Sequence, residues 1–330
     1  MKKVTVADIA RKANVSPGTV SNALNNRRGT ISEKKRQEIL QAAEELGYVR
    51  ERKTNAIRLI FFQDAKDSVT DNTFFAALLG GIEKECTALG CQLLVNHLSY
   101  QDRIQGVRLM DDPYTCDGIL ILATYLREEQ LHVFENMKLP HVFLDVAYND
   151  QRNNYVAINN AGASYEMTRI LIKAGFRKFG FITSSLYINN FRERKSGYLA
   201  ALHDHEIPHE QLFDFRLDHV PDWSILFEKQ LRKLQRSSKG LPEVFVCAND
   251  FLALITEDIL DRLGIDAFVT GFDNVPEAES RALTTIQVNK QDFGRAGVRR
   301  LMDLIHEPHQ TAQRIAVNTE IIVRGELLNI

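Results

Sequence analysis

Cysteine is scarce in this chain, with four residues in 330. Cys86, Cys91, Cys116 and Cys247 form no C-x-x-C pair and no zinc-like spacing. That excludes a zinc ribbon and a disulfide-stapled scaffold, and predicts reduced, mostly buried thiols of a cytoplasmic protein. No apolar run approaches the roughly 20 residues a membrane-spanning helix needs. The N-terminal MKKVTVADIARKA has lysines but no apolar stretch behind them, so no secretory leader is expected. GxSxG is missing, and the one HExxH string, His205-Glu206-Ile207-Pro208-His209, has a proline inside it that is incompatible with the helix this motif needs, so no hydrolase chemistry is signalled. Gly80-Gly81 lies within a helical pattern and lacks the GxxxxGK context of a phosphate loop. HDHEIPHE gathers His203, His205 and His209, and His205 and His209 stand four apart, but Pro208 between them breaks the helix that would put both on one face, so it reads as solvated surface. The expectation is a protein that is not an enzyme and has neither metal nor cofactor.

What is present begins with length and charge. A chain of 330 residues implies two or three compact units, and 44% hydrophobic residues suffice for ordinary cores. The net charge of −2 hides an asymmetry: residues 1–58 carry +7 and the remainder −9. A small basic unit on a larger acidic one suggests a polyanion partner for the N-terminus alone, or else only a solvated basic face.

The first 47 residues read as three short helices. Thr5-Val6-Ala7-Asp8 fits a capping box opening the first. Ser32 is the expected N-cap of the third, with Ile39, Leu40, Ala43 and Leu46 as its apolar stripe and Gly47 as its stop. The second contains NVSPGTVSNALN. Ser16 suits an N-cap, and Pro17 then falls at the first helical position, where its fixed φ helps and its missing N–H costs nothing. SPG therefore starts a helix, and Asn14-Val15 is the turn before it. Val15, Val20 and Leu24 would hold the two helices together, leaving Thr19, Ser21, Asn22 and Asn25 facing outward. Two short helices joined by a brief turn in a basic setting describe a helix-turn-helix, whose small polar groups suit phosphates and base edges. A helical hairpin with no nucleic-acid role has the same pattern.

After the charged YVRERKTNA, which reads as a linker, short apolar runs alternate with helical patterns. IRLIFF, CQLLVNHL, CDGILILA, LPHVFLDV, KFGFITS, EVFVCAND and AFVTGFD are strand candidates. REEQLHVFENM, FRERKSGYLAALHDH and FLALITEDILDRLG are among the helical ones. Such alternation predicts parallel sheets covered on both faces, and its length predicts two α/β subdomains.

TVADIARKANVSPGTVSNALN, followed by TISEKKRQEILQAAEELGY, resembles the N-terminal signature of the LacI/GalR family of bacterial transcription repressors. CDGIL, RERKSGYLAAL, CANDFLAL, TGFDN, LTTIQV and TEIIVRGEL extend the likeness, in order, along some 320 residues. The resemblance implies an all-α helix-turn-helix head at 1–47, a linker at 48–56 and a core at 57–330. That core would be similar to periplasmic sugar-binding proteins, with two Rossmann-like subdomains and an effector between them. The subdomains would comprise 57–159 with 289–318, and 160–288 with 319–330. The function implied is a cytoplasmic, homodimeric regulator that binds an inverted-repeat, double-stranded DNA operator and represses carbohydrate-utilisation genes under control of a sugar. A purine or a partner protein is an alternative effector. A solute-binding transport protein and a sugar-modifying enzyme are rival classes. The first conflicts with the basic head, the second with the lack of a nucleophile–base pair. The chain as given ends soon after its last core motif, without a heptad tail, so a dimer is expected rather than a tetramer.

By motif matching, the effector contacts fall at Asp145, Arg194, Trp223, Asn249 and Asp273. Their chemistry is suitable without the match. Open α/β sheets bind ligands at the carboxyl ends of strands, where Asp145, Asn249 and Asp273 stand. Carboxylates and amides pair with vicinal hydroxyls, arginine gives a planar fork of donors, and an aromatic face suits sugar C–H groups. Asn249 would equally serve as a helix cap, and a lone tryptophan as core. Lys290 stands where some family members have an apolar residue against the ring.

In the head, DNA contacts are expected at Thr5, Ser16, Pro17, Gly18, Thr19, Ser21, Asn22, Asn25 and Ser32, and the charge of the linker, where it departs from the family pattern, puts Arg50, Arg52 and Lys53 on phosphates. Pro17 and Gly18 have no side-chain donor or acceptor, so base reading is expected to rest on Asn22. Much of the family has Pro-Asn and Ala-Arg-x-Leu in the linker, and its leucine pair enters the minor groove. Here VRERKTNA offers no apolar wedge, and a less sharply bent operator is expected.

Overall fold

The computed structural model describes residues 4–24, 31–46, 54–62, 72–99, 103–185, 187–208, 211–217 and 223–325. The side chain of Trp223, together with Asn25 and Arg50, lies outside the described residues.

Three helices build the head: α1 (Val6–Ala13), α2 (Pro17–Leu24) and α3 (Glu33–Glu45). At the start of α1 the Asp8 carboxylate accepts the Thr5 N–H at 2.9 Å and its hydroxyl at 2.7 Å. Asn14 then adopts the left-handed conformation at φ 50°, and the Val15 N–H returns to the Ala10 carbonyl. Asparagine tolerates that conformation, so the chain turns at once into α2. Ile9, Ala10, Val20, Ala23, Leu24, Ile39, Ala42 and Ala43 form the buried core of the head, with Val15 packed against it.

The first core sheet uses β1 (Ala56–Phe62), β2 (Gln92–Leu98), β3 (Gly118–Leu122), β4 (His141–Leu144), β5 (Tyr155–Ile158) and β11 (Arg314–Val317), in the order β11-β5-β4-β3-β1-β2. All its pairings are parallel. β3 is buried along its whole length, as a strand covered on both faces must be. Helices α4 (Asn72–Ala88) and α5 (Arg103–Met110) belong to this unit, as does α11 (Lys290–His306). The segment read from sequence as a helix at 127–137 is a 3₁₀ helix, Glu128–Phe134.

The second sheet has the order β7-β6-β8-β9, also parallel: β6 (Phe179–Ser184), β7 (Leu212–Leu217), β8 (Val244–Cys247) and β9 (Phe268–Thr270). Helices α6 (Asn160–Lys173), α7 (Asn189–Asp204), α8 (Trp223–Gln235), α9 (Asp250–Leu263) and the short α10 (Pro276–Ser280) accompany it. An antiparallel pair, β10 (Thr285–Gln287) with β12 (Glu320–Ile322), continues its edge through bridges at Thr270–Thr284 and Asp273–Gln287. The chain thus changes sheets after Ile158, after Gln287 and after Val317.

One close approach shapes the crevice between the two sheets. A Cβ on Gly197 of α7 would lie 1.9 Å from the Ala161 carbonyl oxygen of α6. Glycine there lets the two helices close together and brings Arg194 to Asn160.

Candidate functional site

Strand order reverses between β1 and β3 in the first sheet and between β6 and β8 in the second. Open parallel sheets leave a crevice at such points, beyond the carboxyl ends of their strands. The residues that come after β3, β4, β6, β8 and β9 meet there.

Asp145 follows β4, is 1% exposed and has φ 69°. Its carboxylate accepts the Thr124 hydroxyl at 2.5 Å and the Asn190 amide at 2.8 Å. Thr124 belongs to the first unit and Asn190 to the second, so Asp145 closes a bond across the crevice. Burial pushes its pKa up to about 6, against the pull of these two donors and of Arg194. Arg194 is buried as well. Its Nε donates to Asn160 Oδ1 at 2.9 Å, Nη1 to the Ala248 carbonyl at 2.6 Å and Nη2 to Asp273 Oδ1 at 3.3 Å. Its guanidinium lies 3.5 Å from the centre of the Phe272 ring, a cation–π contact in a desolvated setting.

Asp273 and Asn274 sit at φ 108° and 49°, an unusual backbone for residues with a Cβ. Two bonds hold it: the Asp273 N–H reaches the Ile286 carbonyl at 2.8 Å, and the Val275 N–H reaches Asp250 Oδ2 at 2.8 Å. The Thr285 hydroxyl donates to the other Asp250 oxygen at 2.5 Å. Burial raises the Asp250 pKa to about 7. Asn249 caps α9, its Oδ1 accepting the Leu252 N–H at 3.0 Å. Lys290 donates to the Asp273 carbonyl at 2.7 Å, so this wall carries an ammonium.

Of the five residues expected at the cleft, Asp145, Arg194 and Asp273 share one network, and Asn249 stands at its edge as a cap. Sequence reasoning missed Thr124, Asn160, Asn190 and Phe272. Asn160 also donates to Asn190 Oδ1 at 3.2 Å and to Glu193 Oε2 at 3.0 Å, so it joins both halves of the network. Beside the sheet crossings, a cavity of about 630 Å³ is lined by Val288, Asn289, Lys290, Asn318 and Thr319 among others. The crossings are thus bordered by open space.

In the head, Ser16 Oγ accepts the Thr19 N–H at 3.1 Å and lies 2.8 Å from the Thr19 hydroxyl. Ser16, Pro17, Gly18 and Ser21 are exposed, whereas Thr19 and Asn22 are half-buried. Thr5 and Ser32 are exposed helix caps, and Ser32 accepts the Lys35 N–H at 3.3 Å. Helix α2 carries no charged side chain, so its outward surface offers hydroxyls, an amide and backbone at a helix N-terminus. Among the described residues, no helix is long and apolar enough to cross a membrane.

Residues 5–51 match the family described as bacterial regulatory proteins, lacI family. Residues 168–325 match the periplasmic binding protein-like domain. The chain is 26% identical to the HTH-type transcriptional repressor PurR of Actinobacillus pleuropneumoniae serotype 3 (strain JL03), over 99% of each chain. It is 27% identical to the ribose operon repressor of Haemophilus influenzae (strain ATCC 51907 / DSM 11121 / KW20 / Rd), again over 99% of each. Among solved structures it is similar in fold to a transcriptional regulator CelR–cellobiose complex, with TM-score 0.70 and 22% identity over 98% of this chain and 99% of that one.

Proposed function

The chain belongs to the lacI family of bacterial regulatory proteins, and from that premise we propose that it is a cytoplasmic, homodimeric repressor whose operator affinity is set by a small polyol, a sugar or sugar derivative, held in the crevice of its core. Regulators of this family act by binding DNA, not by catalysis.

The observation that carries the proposal is the Asp145–Asn190 bond across the crevice, set among Thr124, Arg194 and Asp273. Hydroxyl, carboxylate, amide and guanidinium groups converge on one small space. A polyol is a ligand that can replace each of these internal bonds with an equivalent one. Exchanging the cross-crevice bond for bonds to a ligand gives the two closures of the core different ligand affinities, which is the requirement for control. The cellobiose complex of the structural neighbour and the name of the ribose operon repressor favour a carbohydrate. For the effector we assign contacts to Asp145, Arg194, Asn249 and Asp273, with Trp223 as the expected aromatic wall.

For DNA we assign α2 to the major groove. Asn22 reads bases, while Thr5, Ser16, Pro17, Gly18, Thr19, Ser21, Asn25, Ser32 and Arg50 position the head. A two-fold dimer would present two such helices to an inverted repeat. Ile225 and Leu226 on α8 and Phe251 on α9, each about half exposed on neighbouring helices, favour burial against a second copy.

The test is selection of bound sequences from random duplex DNA, followed by titration of a sugar panel against the selected operator. Recovery of an inverted repeat, with one sugar changing its affinity, is expected. Selection of no sequence, or turnover of a sugar by the purified protein, would refute the reading.

A further inference from the structure

We infer that the loop between α5 and β3, residues 111–117, is the seat on which the core holds its own head, and that Tyr114 is the positioning residue of that seat. Among the described residues, Tyr114 is the hydrophobic side chain of the core that packs against the head's buried cluster. It stands in contact with a unit more than sixty residues earlier in the chain.

The loop beneath it is pinned at several points. The Asp112 carboxylate accepts the Tyr114 N–H at 2.9 Å. The Asp112 carbonyl accepts the Thr115 N–H at 3.0 Å and the Thr115 hydroxyl at 2.9 Å. The Asp111 carboxylate accepts the N–H groups of Lys138 and Leu139, at 2.7 and 2.9 Å, tying the loop to the entry of β4. Buried Arg58 of β1 donates to the Thr115 hydroxyl at 3.0 Å. Asp117 accepts the Thr54 N–H at 3.2 Å, so the chain re-enters the core on the same loop. Backbone held at both ends and in the middle presents Tyr114 as a fixed knob.

The strand that leaves the seat gives it a role. β3 begins at Gly118, is wholly buried, and runs out into Ala123 and Thr124. The Thr124 hydroxyl holds Asp145, and Asp145 holds Asn190 across the crevice. One strand of five residues, roughly 17 Å long at about 3.3 Å per residue, therefore joins the seat to the crevice. A strand hydrogen-bonded on both sides neither stretches nor folds. A shift at Thr124 on opening or closing reaches Tyr114 as a displacement of the seat and so of the head. The linker sequence has no apolar pair to form a separate wedge, and among the described residues Tyr114 is the core side chain packed on the head's cluster. The seat is a matter of packing. Its use in regulation rests on the proposed function.

The test uses full-length protein with Tyr114→Ser and Tyr114→Phe, each first checked for an unchanged core by thermal unfolding. Brief trypsin digestion, with Arg50, Arg52 and Lys53 as linker sites, should release the head roughly tenfold faster in Tyr114→Ser, because docked segments resist cleavage. Tyr114→Phe keeps the ring and should behave as wild type. The second arm is a double-mutant cycle on operator affinity. The effect of Asn190→Ala should fall at least about fivefold once Tyr114→Ser is present, since coupled sites lose additivity. Unchanged release in Tyr114→Ser overturns the seat. Faster release with the Asn190 effect undiminished overturns the positioning role. Failure of the wild-type protein to bind any DNA would sink the proposed function and leave the digestion arm to judge the seat.

Discussion

The two candidate sites are built in opposite ways. In the head, Ser16, Pro17, Gly18 and Ser21 face solvent, and the helix that carries them is set by one cap and one turn. In the crevice, Asp145 and Arg194 are 1% and 4% exposed, and their polar atoms are engaged with one another and with Thr124, Asn190, Asn160 and Asp273. The first is a surface ready to meet a partner without rearrangement. The second is already satisfied, so under the proposed function a ligand would exchange bonds with it, and exchange of the Asp145–Asn190 bond would alter how the subdomains close. A DNA-reading surface can be preformed. A sensor has to have something to give up.

That contrast can be broken, and the crevice should give the largest effects. Arg194→Ala removes at once the donor that serves Asn160 Oδ1, the Ala248 carbonyl and Asp273 Oδ1. It should destabilise the core by about 3–5 kcal/mol in urea unfolding, as loss of one partner of a buried pair does. Arg11, paired with Asp8 at 3.4 Å but with a side chain 79% exposed, should tolerate alanine with no measurable change in unfolding.

Next comes pH. Asp145 and Asp250 keep their protons in the folded state to about 6 and about 7, whereas the unfolded chain releases them near the ordinary value of 3.8. Between those values the native state binds more protons, so their contribution is full below the unfolded value and is lost as pH rises through the folded ones. In the difference between wild type and Asp145→Asn, followed from pH 4 to 8, about 3 kcal/mol of that loss should disappear. A difference that does not vary with pH would mean that Asp145 ionises as if solvated.

The head should respond on a smaller scale. Asn22→Ala should reduce discrimination among operator variants by about 1–3 kcal/mol, the range of one good base contact. Gly18→Ala is the control: the added Cβ would meet Ser16 Oγ at 3.7 Å and nothing nearer, so the fold accepts it. Equal loss of discrimination in both variants would remove Asn22 as the base reader. Smallest of all, Ser16→Ala should cost the head about 1 kcal/mol through its lost cap, seen as earlier melting of head amides with the core unchanged.

Much of the fold is legible in the sequence, because its rules act over short spans. Ser16-Pro17 marks a helix start within two residues, and the apolar runs that form β1, β3 and β6 are continuous because both their faces are covered. The 3₁₀ helix at 128–134 reads as an α-pattern since its buried pair, Leu131 and Phe134, is three apart, which suits either period. β5 has only four residues and carries little pattern. β7 is missing from the strand candidates, yet it alternates buried and exposed positions, a signal present in its sequence.

The crevice is legible only in part. Asp145, Arg194 and Asp273 come from motif likeness. Thr124, Asn190 and Asn160 do not, because each acts on a residue 21, 45 or 34 positions away, and no local pattern records that pairing. Asn249 shows one of its two expected faces: the cap is present, and the effector role is the proposal.

The most direct measurement is operator affinity, by fluorescence anisotropy on the selected inverted repeat, for wild type and Asn190→Ala. Asn190 lies on α7 in the core, outside the head. If the bond it makes across the crevice sets the balance of closures, its removal should shift operator affinity by about fivefold or more, the scale of coupling between distant sites. An affinity equal to wild type, in a variant that folds normally, would contradict the claim that closure of the crevice governs the hold on DNA.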